Sequence, residues 1–267
     1  MKKYFAFFRL RFSMGLQYRT AALAGIVTQF VWGGMEILMF RAFYQADAGA
    51  FPMTFQAVSS YVWMQQAFLT LFMAWMLEDE IFHSIVDGNI AYELCRPIDI
   101  YNMWFSRSCA NRLSKAALRC MPILLISAFL PEPYGLMLPT DLPSFFLFLL
   151  TLFLGVGVTV SFCMLIYMAC FFTVSSAGIR MVAVSVVEFF SGAVIPLPFF
   201  PHRIHWLFAL LPFASMQNVP LRIYSGDLSG SAAQKALALQ LFWLLILTGI
   251  GKLLNALAMQ KITVQGG

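Results

Sequence analysis

The sequence predicts an all-α, polytopic membrane protein with six transmembrane helices and both termini in the cytoplasm. Three observations carry that prediction. Of the 267 residues, 61% are hydrophobic and 11% are charged, with a mean hydropathy of +0.79, whereas soluble domains carry roughly 25% charged residues. Several apolar runs reach the roughly 20 residues needed to cross a hydrocarbon core. The lysines and arginines fall unevenly on alternate connecting segments. Alternating strands of about ten residues, the mark of a transmembrane barrel, are not visible.

Taken in order, residues 2 to 19 place Tyr4, Phe5, Phe8, Phe12 and Leu16 near one helical face, with Lys2, Lys3, Arg9, Arg11 and Arg19 mostly elsewhere. This pattern suits a basic helix lying in the cytoplasmic headgroup layer, or a plain extension of the first span. The first span runs from about Thr20 to Tyr44 and contains Glu36; the second runs from about Phe55 to Leu77. A polar interruption, Glu78 to Asp99, precedes a third span from about Asn102 to Leu130. The basic first half of that span, with Arg107, Arg112, Lys115 and Arg119, is expected to protrude into the cytoplasm or lie along the interface. Pro131-Glu132-Pro133 ends it. The fourth span, Phe145 to about Thr173, is the purest apolar run. Ser175 to Gly178 reads as a tight turn, and the fifth span, Met181 to Ile195, contains Glu188. After a polar loop at Tyr224 to Ser231, the sixth span covers Ala233 to Ala258. Together these form a single membrane domain over residues 1–267, with an interfacial helix at 1–19, a cytoplasmic loop at 78–101 and an outer broken region at 191–224.

Orientation follows from the charge bias of cytoplasmic loops. With the N-terminus inside, the inner segments hold Lys2, Lys3, Arg9, Arg11, Arg19, Arg96, Arg107, Arg112, Lys115, Arg119, Arg180, Lys252 and Lys261. The outer segments hold only Arg41, Arg203, Arg222 and Lys235, thirteen against four.

Several function classes find no support. The phosphate-cradling pattern G-x-x-x-x-G-K-[ST] is missing; Gly251-Lys252 is followed by Leu253. Without such a loop the chain binds no ATP of its own. No G-x-S-x-G elbow or H-E-x-x-H pair supplies a nucleophile or a zinc site. The five cysteines, Cys95, Cys109, Cys120, Cys163 and Cys170, form no C-x-x-C pair and read as small packing residues. No metal site is expected: Glu78-Asp79-Glu80 reads as a solvated helix end, and His202 and His205 as part of an interfacial belt beside Trp206. The net charge of +5 is used by topology, and no soluble basic domain exists to bind nucleic acid.

Two stretches stand out. Ser191 to Pro201 runs an apolar segment into Pro196, Pro198 and Pro201, with Phe199 and Phe200 held between the last two; Pro212-Phe213 interrupts the next apolar run. Proline removes a donor and clashes with the preceding turn, so one continuous helix is impossible. At membrane depth such a break is tolerated where protein covers it or a cavity lies beside it. The second stretch is Ile81 to Tyr101. Asp87-Gly88-Asn89 is a turn and a helix start, while Ile90 and Leu94 share a face before Pro97. A short amphipathic helix there either lies on the membrane or docks in a partner's groove. Glu36 and Glu188 are intramembrane acids, which read as a proton relay, a cation site, or hydrogen-bonded packing residues beside small neighbours.

Gly88-x-x-x-x-x-Leu94-x-Arg96-Pro97, Ser191-Gly192-x-x-x-Pro196-x-x-Phe199-Phe200-Pro201, Leu211-Pro212-Phe213 and the closing Val264-Gln265-Gly266-Gly267 occur in this order along the chain. The whole resembles the permease subunit of type-2 ABC exporters, the class that includes daunorubicin-type and viologen-type drug exporters. The resemblance implies that Asp87, Gly88, Asn89, Leu94, Arg96 and Pro97 belong to a coupling loop seated on an ABC ATPase subunit, present in two copies. It implies that Pro196, Phe199, Phe200, Pro201, Pro212 and Phe213 belong to a re-entrant outer gate. A second permease, identical or paralogous, completes the pathway in the lipid of a bacterial cytoplasmic membrane. ATP and magnesium would sit on the partner ATPase, with no cofactor on this chain. No large extracellular domain is present, which argues against polymer or protein substrates and leaves hydrophobic or amphipathic ones. Two other functions remain consistent with the residues: a gradient-driven transporter using Glu36 or Glu188, and a membrane-embedded lipid-modifying enzyme.

Overall fold

The computed structural model describes residues 2–47, 49, 51–139, 141–173 and 176–261. Every regular element among them is helical. Helix α1 (Lys2–Gly15) is separated by a bend from α2 (Arg19–Ala46), so it is a distinct helix rather than an extension of the first span. Helix α3 (Phe55–Phe72) follows, then two short helices, α4 (Asp79–Val86) and α5 (Ile90–Leu94). Next come α6 (Ile100–Ala128), α7 (Leu142–Ala169), which closes in a 3-10 turn to Phe172, and α8 (Ser176–Phe190). The broken region holds α9 (His202–Leu210) and α10 (Asn218–Tyr224) before α11 (Gly230–Lys261) ends the described chain.

Helix α3 is the axis of the molecule. Every residue from Ala57 to Ala67 is buried, as expected of a helix surrounded by protein on all sides. Its neighbours are α2, α6, α7 and α10. Helix α2 buries only one stripe, Ala22, Gln29, Gly33, Ile37 and Phe40, at the three- and four-residue spacing of one helical face. The opposite face exposes Leu23, Val27, Val31, Met35 and Leu38. Helices α7 and α11 pack along each other, and α11 likewise exposes Phe242, Leu245 and Leu253. Arg19–Ala46, Leu142–Phe172 and Gly230–Gln260 are long and apolar enough to cross a membrane. Helices α3 and α6 bury serine, glutamine and arginine instead, because they face protein. Helix α8 has 15 residues, short of the roughly 17–25 of a full span.

Three boundaries differ from the sequence expectation. The helix expected as the second span stops at Phe72 rather than Leu77, and Met73 to Glu78 are not helical. Ser176 to Gly178 open α8 rather than forming a turn. The helix expected as the fifth span ends at Phe190, before the first proline, because Gly192 takes φ +79°, a conformation open to glycine and disfavoured by a Cβ.

Candidate functional site

The proline-rich break lies deep among the helices. Tyr61 and Gln65 sit six and ten residues into α3, about 9 and 15 Å along it at 1.5 Å per residue. The Tyr61 hydroxyl donates to the Gly192 carbonyl at 3.1 Å, and the Gln65 amide to the Ala193 carbonyl at 2.7 Å. Asn218 Oδ1 accepts from the Leu197 N–H at 3.4 Å. Gln240 on α11 reaches the Ser215 carbonyl at 2.9 Å and the Thr151 carbonyl at 3.1 Å. Side chains thus take over the backbone bonding that the prolines and turns remove, which makes a broken helix tolerable away from water. The backbone also comes very close to α7: a Cβ on Gly155 would lie 2.2 Å from the Met216 oxygen.

The predicted aromatic pair is divided. Phe199 packs on Phe40 and Phe51, each with ring centroids 5.4 Å away. Phe200 packs on Phe189 and Phe208 at 5.7 and 5.1 Å. Phe213 joins the second group through Phe190 at 6.0 Å and touches Phe162 at 5.3 Å. Pro196 and Pro212 are buried, and Pro201 is exposed at the start of α9. One residue therefore belongs to α2 and the next to the α8–α9 cluster.

The opposite end of α3 is built from charge. Asp87, Gly88, Asn89, Leu94, Arg96 and Pro97 are all exposed, and Gly88 turns the chain at φ +74° between α4 and α5. Ile90 is buried beneath them. Glu93 accepts from the Trp104 indole at 2.6 Å, and Lys3 donates to the Pro97 carbonyl at 2.6 Å. Behind this turn, Arg107 of α6 pairs with Glu78 and Glu80, and Arg180 of α8 pairs with Asp79 at 2.7 Å while covering the Phe82 ring. Arg11 of α1 approaches Glu80 at 3.8 Å. Burial, and next the neighbouring Arg107 charge, lower the Arg11 pKa from its ordinary value.

Two expectations are corrected here. Glu78 is not a solvated helix end, because its side chain is 11% exposed beside an Arg107 side chain that is 6% exposed; Asp79 and Glu80 do remain largely exposed. The basic half of α6 does not simply protrude, because Arg107 and Arg112 turn inward. Arg112 donates to the Thr70, Leu71 and Met73 carbonyls at 3.4, 3.1 and 2.9 Å and to Cys163 Sγ at 3.2 Å. Those carbonyls are the unsatisfied acceptors of the α3 C-terminus, where a cation is doubly favoured. The visible signal was the acid run at 78–80 facing a basic run one span later.

Glu36 lies on α2 within 3.5 Å of the Gln66 amide, near Gly33, whose missing side chain lets Gln66 and Trp63 approach. Its other oxygen is buried without a hydrogen-bond partner, as are both amide atoms of Gln29 about two turns earlier on α2. Glu188 is half-buried on α8 and is not brought into any contact with Glu36 by a hydrogen bond or ion pair among the described residues. The Val264 to Gly267 motif lies outside the described residues. No group of three metal-ligating side chains occurs among the described residues.

A helical bundle with apolar outer faces, a broken helix inside it and a charged projecting turn at its other end defines a multi-pass membrane protein. The model of the ABC-2 family transporter protein matches residues 30–266. The chain belongs to that family, and it is a membrane component of an ABC-type transporter. No curated protein and no solved structure matches it.

Proposed function

We propose that this chain is the permease of an ATP-driven exporter, working with a second permease and two separate ATPase subunits in a bacterial cytoplasmic membrane. The second permease is a further copy or a paralogue. Both termini are cytoplasmic, and α2, α3, α6, α7, α8 and α11 belong to the six spans, with α8, too short to cross alone, completed by the non-helical stretch that follows it. The substrate is hydrophobic or amphipathic and leaves through an outer gate formed by the re-entrant stretch from Pro196 to Phe213. The observation that carries this reading is the exposed turn Asp87–Pro97, mounted on a helix anchored by the buried Arg107–Glu78 ion pair.

In this mechanism the ATPases close on nucleotide and press on α5. The short helix α4 transmits the push, because Asp79 is tied to Arg180 on α8 and Glu78 to Arg107 on α6. Helix α8 ends at Phe189 and Phe190, which pack on Phe200, Phe208 and Phe213. A shift of α8 therefore reaches the aromatic cluster directly, while Phe199 stays with α2. Opening separates the two rings' partners rather than removing a single plug.

The test is purification of the tagged chain from its host with its ATPase, followed by transport in sealed vesicles. Arg96→Ala or Gly88→Val should release the ATPase while the permease stays folded. Transport that persists without ATP and collapses with an uncoupler overturns the proposal in favour of a gradient-driven carrier using Glu36 or Glu188.

A further inference from the structure

A cavity of about 640 Å³ opens between α1, the start of α2, the non-helical crossing at 73–78 and the basic half of α6. This volume falls within the roughly 300–1,000 Å³ of small-molecule sites. Five cations line it against three acids. The acids are already engaged, Glu78 and Glu80 by Arg107 and Asp79 by Arg180. Arg112, Lys115 and Arg119 recur at three and four residues, so one face of α6 presents three cations. Among the described residues none of the three forms an ion pair with an acid. Arg112 is 2% exposed, and its Nε and that of Arg119 are buried without a hydrogen-bond acceptor. Buried donors on a charged group without acceptors are costly, and an anion's oxygens are the acceptors that suit them.

We propose that this cavity binds the phosphate-bearing headgroup of an anionic amphiphile. Lys115 and Arg119 hold the phosphate oxygens, Arg119 through its planar fork of donors, while Arg112, its Nη atoms spent on the α3 carbonyls and Cys163, adds positive charge behind them. The tail leaves along the apolar rim formed by Tyr18, Ala21 and Trp75, of which Tyr18 is 68% and Trp75 46% exposed. Aromatic side chains of this kind settle at the headgroup level of a bilayer. A free phosphate would use the cations and leave the rim and most of the volume empty. The site rests on the chain's place in a membrane but not on ATP drive, so it stands or falls separately from the exporter proposal.

The test is titration of the purified full chain in neutral detergent with dioctanoyl phosphatidic acid, dioctanoylglycerol and inorganic phosphate, read by calorimetry. Phosphatidic acid should bind, and each of the other two at least about tenfold more weakly, since charge-assisted hydrogen bonds and rim contacts each supply that much. Lys115→Gln with Arg119→Gln should weaken phosphatidic acid by about tenfold or more, with Arg119→Lys intermediate and Arg203→Gln, at the far end, without effect. Ala21→Trp, which fills the rim and touches no charge, should weaken the lipid and spare inorganic phosphate. Unchanged affinity in the double variant, or equal binding of dioctanoylglycerol, overturns the site. Inorganic phosphate binding as tightly as the lipid overturns the amphiphile and leaves a soluble anion.

Discussion

The C-terminal end of α3 and the part of the molecule around its middle are held by different chemistry. At the C-terminal end, Arg107, Arg112 and Arg180 tie α4 and the helix terminus to α6 and α8 through charge. Around the middle, neutral groups on Tyr61, Gln65, Asn218 and Gln240 hold a broken backbone, and aromatic rings fill the space around it. Buried charge pairs are directional and strongly destabilising to break singly. Aromatic contacts are individually small and tolerate several packings. Under the proposed mechanism the difference divides the work: the stiff charged end receives the push, and the repackable end yields to it.

The largest expected effect comes from breaking the charged end. Arg107→Met leaves Glu78 buried without its cation, at a loss of about 3–5 kcal/mol, read as thermal unfolding of the purified chain in detergent. Adding Glu78→Gln to Arg107→Met should recover most of that loss, since the orphaned charge is then gone. A double variant as unstable as the single would mean that Arg107 acts by packing alone, and the contrast between the two ends would disappear.

Next in size is the close approach at the neutral end. Gly155→Ala places a Cβ 2.2 Å from the Met216 oxygen, a backbone atom that cannot swing aside, so α7 and the 212–217 segment must separate. A loss of about 1–3 kcal/mol is expected, the range for overpacking a well-filled core. Gly192→Ala adds a positive-φ strain of about 1–2 kcal/mol at φ +79°. Both should lower the unfolding temperature, and neither should change its salt dependence.

The sequence made these two ends unequally legible. Apolar runs located the long helices to within a few residues, because length and hydropathy respond to the bilayer alone. The prolines marked the break, since they forbid a helix whatever surrounds them. Arg112 was not legible. Its role depends on α3 stopping at Phe72, and Met73 to Leu77 are as apolar as the helix before them. Nor was the separation of Phe199 from Phe200, because Phe199 ends a 3-10 turn (Leu197–Phe199) and Phe200 follows it in extended backbone, so the two rings point to different neighbours and only packing says which. Gln65 and Gln240 were visible as polar residues inside apolar runs, a signal of buried bonding, but not which carbonyls they would meet.

A third prediction joins the two ends. Arg180→Gln removes the tie between α4 and α8 while Asp79 and Arg180 are 68% and 33% exposed. Exposed pairs contribute only about 0–1 kcal/mol to stability, so the unfolding temperature should hardly move. Under the proposed mechanism transport per ATP hydrolysed should nevertheless fall about tenfold, within the usual range of coupling between distant sites. The charge reversal Arg180→Asp with Asp79→Arg should restore it. Full coupling in Arg180→Gln would show that the push reaches the spans through the other contacts of α4, Glu78 with Arg107 and Phe82 with Tyr167 of α7.

The smallest effect isolates one neutral bond. Gln240→Leu keeps the volume and deletes the donor shared by the Ser215 and Thr151 carbonyls. Thr151 keeps a place in the α7 ladder, but Ser215 lies in an irregular segment and is fully buried. One under-satisfied carbonyl costs about 1 kcal/mol, because a carbonyl with two lone pairs is less demanding than a buried N–H. Amide hydrogen exchange should therefore rise at Met216 to Val219 with little change at Arg107 or Arg112. Equal loosening at both ends would show that the molecule opens as one unit and that its two chemistries do not separate its motions.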